Sequence, residues 1–301
     1  MAPAHNEEKS NRSASDYFEL LLTQYICSVY WLTFSYSNDL SDVMDKLLTL
    51  SNASERIALQ NNNFKKIKPK VKEIIDFEIT TKWEVIKVIW TGRHLEIKTT
   101  SDVDVKHVTE KLTRFSVKSI WWDGFWTLKN VWMRWFKRLY GFNPIADYED
   151  MWIKLKQYLI SQWINTYNKS KEDIKNICNS NPNLLEWANN NSRPYQKKFN
   201  KLACEWFNQL SNNEKKNYIA YISDSNDPDL YVIIINESLN EPIIYRPTNK
   251  YQIDNNIIEW KITSDSEFQI YVDNMPLYRV QTNCTNWLWI SAFCQRIFII
   301  K

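Results

Sequence analysis

Glycine is almost missing from this chain: three of 301 residues, Gly92, Gly124 and Gly141, where ordinary usage near 7 % would give roughly 21. Phosphate-cradling loops and the nucleophile elbow of hydrolases need glycines at fixed offsets. No G-x-x-x-x-G-K-S/T, G-x-G-x-x-G or G-x-S-x-G occurs, so nucleotide-dependent and α/β-hydrolase chemistry find no support. The five cysteines (Cys27, Cys178, Cys204, Cys284, Cys294) form no CxxC pair. That argues against a zinc site and for free thiols in a reducing cytoplasm. No apolar run approaches the roughly 18 residues needed to span a bilayer, so no membrane partner is expected. A dominant charge is lacking too. Lys and Arg total 38 against 35 acidic residues, a net +3, so any nucleic-acid-binding surface must be local. The opening MAPAHNEEKSNRSAS carries no secretory pattern and reads as a frayed polar tail.

What replaces glycine is tryptophan, with 15 copies. Trp83 in TTKWEV, Trp121, Trp122 and Trp126 in SIWWDGFWTLKN, and Trp287 and Trp289 in TNCTNWLWIS fall where turns are expected. Turns call on glycine for positive φ, which an indole does not favour. Many of these positions therefore read as UGA codons that the source organism translates as glycine. The alternative is a Trp-rich protein whose indoles fill its core or stack on bases.

Along the chain the hydrophobic period changes three times. SASDYFELLLTQYICSVYWLTF has helical spacing, LSDVMDKLLTLSNASERIALQ predicts one further helix or two short ones, and residues 64–75 predict a lysine-rich helix. DFEITTK, EVIKVI, RHLEIKT, DVDVKHV and TRFSVKSI alternate with period two, as half-buried strands do. Residues 148–222 return to helical spacing. LYVIIINE, EPIIYR, NIIEWKIT, EFQIYVD, PLYRVQT and QRIFIIK then predict six strands. The order implies a mixed α/β (α+β) fold with a central mixed sheet flanked by helices. It divides as a tail (1–14), a core (15–145), and a helical segment with C-terminal strands (146–301) interlocked with that core as one domain.

The stretch TTSDVDVKHVTEKLTRFSVKSI carries the chemistry. Asp102 and Asp104 fall on one face of a strand, and after the turn VTEKLT so do Ser116 and Lys118 on the next. Val117 between them faces the core. Two carboxylates, a hydroxyl and an ammonium on one hairpin can hold a hard cation and act on the water it binds, which suits phosphodiester hydrolysis.

These residues resemble the PD-(D/E)xK nucleases, and within them the type II restriction endonucleases. Asp102 in TSDVDV is similar to the family's strand aspartate, and Ser116-Val117-Lys118 to its (D/E)xK. The departure is Ser116, where an acidic residue is usual; Asp104 would then serve as second carboxylate. ASDYFELLL resembles the family's first helix, which implies Glu19 as a further acidic residue near the metal. The resemblance is carried by residues 90–130, with echoes at the N-terminus and in YRVQTNCTNWLWISAFCQR. It implies a restriction-endonuclease-like fold, Mg²⁺ bound by Asp102 and Asp104, and sequence-specific cleavage of double-stranded DNA. A homodimer, a cognate DNA methyltransferase in the same system and a cytoplasmic location follow from the same likeness.

A rival register, Asp76 with Glu96 and Lys98, also makes a D…ExK pattern and has a true glutamate. The later hairpin is preferred for its shorter turn and its flanks. Candidate DNA contacts are Arg134, Lys137 and Arg138 in MRWFKRLY, which could meet phosphates, and Gln281, Asn283, Asn286, Gln295 and Arg296, types that read base edges. The same residues could equally be a solvated surface. His94 and His107 lie near the strands but at no zinc-ligand spacing. Two other functions compete: a non-enzymatic nucleic-acid-binding protein using aromatic stacking, and a structural or interaction protein without an active site.

Overall fold

The computed structural model describes residues 4–50, 52–92, 101–120, 126–236, 242–247, 257–284 and 293–299. In chain order its elements are α1 (Ala4–Val29), α2 (Ser37–Leu48), α3 (Ala53–Lys82), β1 (Val85–Trp90), β2 (Val103–His107), β3 (Leu112–Ile120), β4 (Trp126–Trp132), α4 (Phe136–Tyr140) and α5 (Ile145–Ser161). There follow α6 (Lys171–Asn179), α7 (Pro182–Gln209), α8 (Asn212–Ile222), β5 (Leu230–Asn236), β6 (Ile243–Tyr245), β7 (Ile258–Ser264), β8 (Glu267–Val272), β9 (Met275–Cys284) and β10 (Phe293–Ile299). The protein is thus mixed α+β. It falls into two compact units, residues 1–124 with 223–252, and residues 125–222 with 253–301. The C-terminal strands are shared out, β5 and β6 to the first unit and β7–β10 to the second.

The first unit is built on a mixed sheet ordered β1-β2-β3-β5-β6. β1, β2 and β3 are antiparallel neighbours, β3 and β5 run parallel, and β6 returns antiparallel to β5. Val103, Val105, Phe115 and Val117 pack with Tyr231, Ile233 and Ile235 and with Phe18, Leu22 and Ile26 of α1 in one core. Val117 is therefore a core residue, as its place between Ser116 and Lys118 requires. The second unit holds an antiparallel sheet ordered β4-β10-β9-β8-β7. α7 covers it through Phe207, stacked 3.9 Å from Trp260, which lies 4.2 Å from Phe268.

Three readings of the sequence are corrected. DFEITTK is no strand but the last turns of α3. The buried stripe of that helix runs Ile67, Val71, Ile75, Glu78, Lys82, so helical spacing persists while its final two members are charged. The expected tail is helical from Ala4 onward, and Trp126, expected in a turn, opens β4, paired with Ile299. No described helix is long and apolar enough to cross a membrane.

Candidate functional site

The hairpin β2–β3 forms as its alternation requires, with Asp104 opposite Arg114 and Val103 opposite Phe115. Asp102 stands at the bend before β2, where its backbone N–H donates to the Phe115 carbonyl (2.8 Å). Its Oδ2 accepts from Ser116 Oγ (3.1 Å) and from the Val117 N–H (2.6 Å). One carboxylate oxygen is thus clamped to the neighbouring strand by a hydroxyl and an amide. Burial raises the Asp102 carboxyl above its ordinary range, and the Lys118 ammonium and these two hydrogen bonds pull it back down. Lys118 is partly buried, and its register partner on β5 is Ile234.

Glu19 arrives from α1 and is 5 % exposed. The indole Nε1 of Trp90 donates to its Oε2 (2.9 Å), and Ser15 Oγ donates to Oε1 (3.2 Å). Burial, then the negative charge of Asp102, pushes the Glu19 carboxyl up to about 8. Asp16, one turn earlier on α1 and itself buried, adds to the same field. Gly92, just beyond β1, makes room: a Cβ there would lie 2.3 Å from Glu19 Oε2 and 2.7 Å from Trp90 Nε1.

Asp104 is engaged elsewhere. It accepts from Ser101 Oγ and sits 3.9 Å from Arg114 Nε, while Arg114 bonds Asp227 at 2.6 Å. Burial raises its carboxyl as well. Among the described residues no three His, Cys, Asp or Glu side chains form a metal-ligating group. The Asp102 charge reaches Glu19, and both carboxyls resist ionising beside each other; once ionised, such carboxylates are hard oxygen donors suited to a divalent cation.

At the turn end of the hairpin lies a second polar cluster that the sequence did not announce. Lys82 Nζ meets Glu78 Oε2, Asp229 Oδ1 and the Leu112 carbonyl, each at 2.7 Å. Glu78 also receives Tyr231 Oη (2.6 Å) and Arg246. Burial opposes its charge, yet Lys82, Tyr231 and Arg246 hold its carboxyl below the usual range. His107 bonds the Trp83 carbonyl (2.8 Å) and Thr113 Oγ1 (2.9 Å), and burial lowers its imidazole. It is a satisfied packing residue. This network pins α3 and β5 to the hairpin.

No family model matches the chain, and no curated protein or solved structure is significantly similar to it.

Of the rival register, Asp76 is an exposed residue of α3, paired with Lys72 and hydrogen-bonded by Tyr30 Oη (2.8 Å). It stands on a helix, not on the strand that register needs. Glu96 and Lys98 lie outside the described residues, as do His94 and Asn286. The other DNA-contact candidates all belong to the second unit. Arg134 is in a 3₁₀ turn, and Lys137 and Arg138 are exposed on α4, with Arg138 over the Trp135 ring at 5.8 Å. Gln281 and Asn283 are on β9; Gln295 and Arg296 are on β10, where Arg296 pairs with Gln281. Sequence reasoning missed Asp16, Trp90 and Gly92. The i, i+3 pair Asp16 and Glu19 was the one available signal, since it puts two carboxylates on one face of a helix.

Proposed function

We propose that the chain is a Mg²⁺-dependent endonuclease of the restriction type, acting on double-stranded DNA. The observation that carries this reading is the clamping of Asp102 by Ser116 and the Val117 amide on the hairpin that bears Lys118, with the Asp102 charge felt by Glu19 of α1. Magnesium held by Asp102 and Glu19 would neutralise charge at the scissile phosphate and make a bound water more acidic. Asp102 is oriented for that role by Ser116 and the Val117 amide. Lys118, beside it, orients the attacking water and faces the charge that develops on the phosphate. Asp104, held by Ser101 and Arg114, supports the strand rather than joining the ligands. Phosphate and base contacts would come from the candidate basic and amide residues of the sequence. Two copies acting on a two-fold symmetric site, in the cytoplasm beside a protective methyltransferase, complete the reading.

Plasmid DNA incubated with the protein and Mg²⁺ is expected to be cut, and EDTA to stop it. Salt-sensitive binding without cutting in any divalent cation would leave a non-enzymatic binding protein.

A further inference from the structure

Three tryptophans sit where the backbone asks for glycine. Among the described residues eight that are not glycine have positive φ. Four are Asn or Asp and one is Glu110 in the hairpin turn; the others are Trp31 (55°), Trp83 (68°) and Trp163 (60°). Asn and Asp tolerate that region because their short side chains bond locally, whereas a bulky residue there is an outlier.

All three follow a helix, at the place glycine takes when it ends one. After α1 the Leu32 N–H donates to the Cys27 carbonyl (2.8 Å), bracketing Trp31. After α5 the Ile164 N–H donates to Leu159 (3.0 Å) and the Trp163 N–H to Ile160 (3.0 Å). These are the six-to-one and five-to-two bonds of the Schellman motif, with the tryptophan at its left-handed position. Trp83 ends α3 with ψ near −170°, a region essentially reserved for glycine. Its conformation is fixed from both sides, since its N–H donates to Ile79 and its carbonyl accepts from His107. Where the chain does carry glycine at a helix end, after α4, Gly141 adopts φ 72° in the same role.

The indoles gain nothing in exchange. Trp31, Trp83 and Trp163 are 95 %, 65 % and 97 % exposed. Trp260, by contrast, is buried between Phe207 and Phe268 and absent from the positive-φ set. Two populations of tryptophan therefore exist in one chain, a packed one and one occupying glycine positions.

We propose that in the native protein residues 31, 83 and 163 are glycine, their codons being UGA, read as glycine by the source's translation system. This stands apart from the nuclease reading, because it rests on backbone geometry and not on the site. The gene and the protein test it together. The codons at 31, 83 and 163 are expected to be UGA and that at 260 UGG; peptides of the protein purified from its own source are expected to carry glycine at all three positions. A UGG codon or a tryptophan mass at any of them overturns the proposal there. Recombinant protein separates φ from exposure. The triple variant Trp31→Gly, Trp83→Gly, Trp163→Gly is expected to melt about 5 °C above the tryptophan form. The corresponding triple alanine variant removes the same indoles but keeps the left-handed cost, and is expected to gain clearly less. If the tryptophan form does not fold, recovery of soluble, cooperatively melting protein by the glycine triple alone is the supporting result. Equal gains from glycine and alanine, or a lower melting point with glycine, would overturn the backbone argument. Loss of single-stranded DNA binding in the glycine triple would identify the indoles as stacking residues instead.

Discussion

Replacing Gly92 by alanine tests how tightly the candidate site is assembled. The new Cβ would stand 2.3 Å from Glu19 Oε2, 2.7 Å from Trp90 Nε1 and 3.2 Å from Trp90 Cε2. The first of these is about 1 Å inside ordinary van der Waals contact. Gly92 does not have a left-handed φ, so the penalty is steric and not conformational. Trp90 is fully buried in the core, which leaves the Glu19 carboxylate as the group that must move. Moving it breaks the 2.9 Å bond from Trp90. A buried bond lost costs about 1–3 kcal/mol and overpacking about 1–3 kcal/mol. The stiffer unfolded chain returns about 0.4–1 kcal/mol. The net expectation is a loss of about 2–3 kcal/mol in urea or guanidinium unfolding. Glu19→Ala removes the shorter of the two close contacts and leaves the one with Trp90 Nε1, so the double variant should be more stable than the sum of the two singles by about 1 kcal/mol. Gly92→Ala within about 0.5 kcal/mol of the parent, or strict additivity with Glu19→Ala, would refute this geometry.

Lys118→Ala is expected to abolish plasmid cleavage while duplex binding stays within a few-fold; normal cutting by Lys118→Ala together with a dead Lys98→Ala would move the chemistry to the other register. Asp102→Asn removes a full charge from an oxygen site, so calcium titration of DNA binding should shift by about tenfold or more, and an unchanged titration removes Asp102 from the ligands. Without metal, Glu19 titrates near 8 in the folded protein against an ordinary value of 4.5. The folded state then holds the extra proton between those values, so stability should fall as pH rises from 5 to 8, by a few kcal/mol in principle. Glu19→Gln should flatten that slope, and identical slopes for the two proteins would show that Glu19 ionises normally. Lys82→Ala leaves Glu78 and Asp229 without the ammonium between them and should cost about 3–5 kcal/mol; a loss under about 1 kcal/mol in equilibrium unfolding would mean that water replaces it.

The hairpin was legible because its alternation is strict and one of its faces is largely apolar. Val103, Val105, Phe115 and Val117 mark a core side, and Asp102, Asp104, Ser116 and Lys118 mark the other. The six C-terminal strands were legible too, β5 as a continuous β-branched run and others, such as β8, by alternation. Their allocation to two sheets was not, since β5 and β7 have similar composition and only long-range pairing separates them. The end of α3 was misread for a physical reason. Glu78 and Lys82 occupy the buried helical positions as an ion pair with Asp229, Tyr231 and Arg246, and a hydrophobic pattern is blind to a charge whose partner comes from elsewhere. Ile79, Thr80 and Thr81 meanwhile favour a strand locally. The same blindness hid Trp90 and Gly92. Their relation to Glu19 exists only once α1 lies on the sheet.

The parallel pairing of β3 with β5 governs when this site can exist. Val117 is in register with Ile233, so the strand bearing Ser116 and Lys118 gains its second neighbour only after more than a hundred further residues have been made. Closing so long a loop is slow, and pairings of high sequence separation come late in folding. On the ribosome the first unit must wait, with one side of β3 unpaired, until the chain has passed through 125–222. A nascent or truncated chain ending before residue 230 lacks β5, and with it the parallel support of the strand carrying Lys118. If the proposed nuclease reading holds, activity would therefore be coupled to completion of most of the polypeptide.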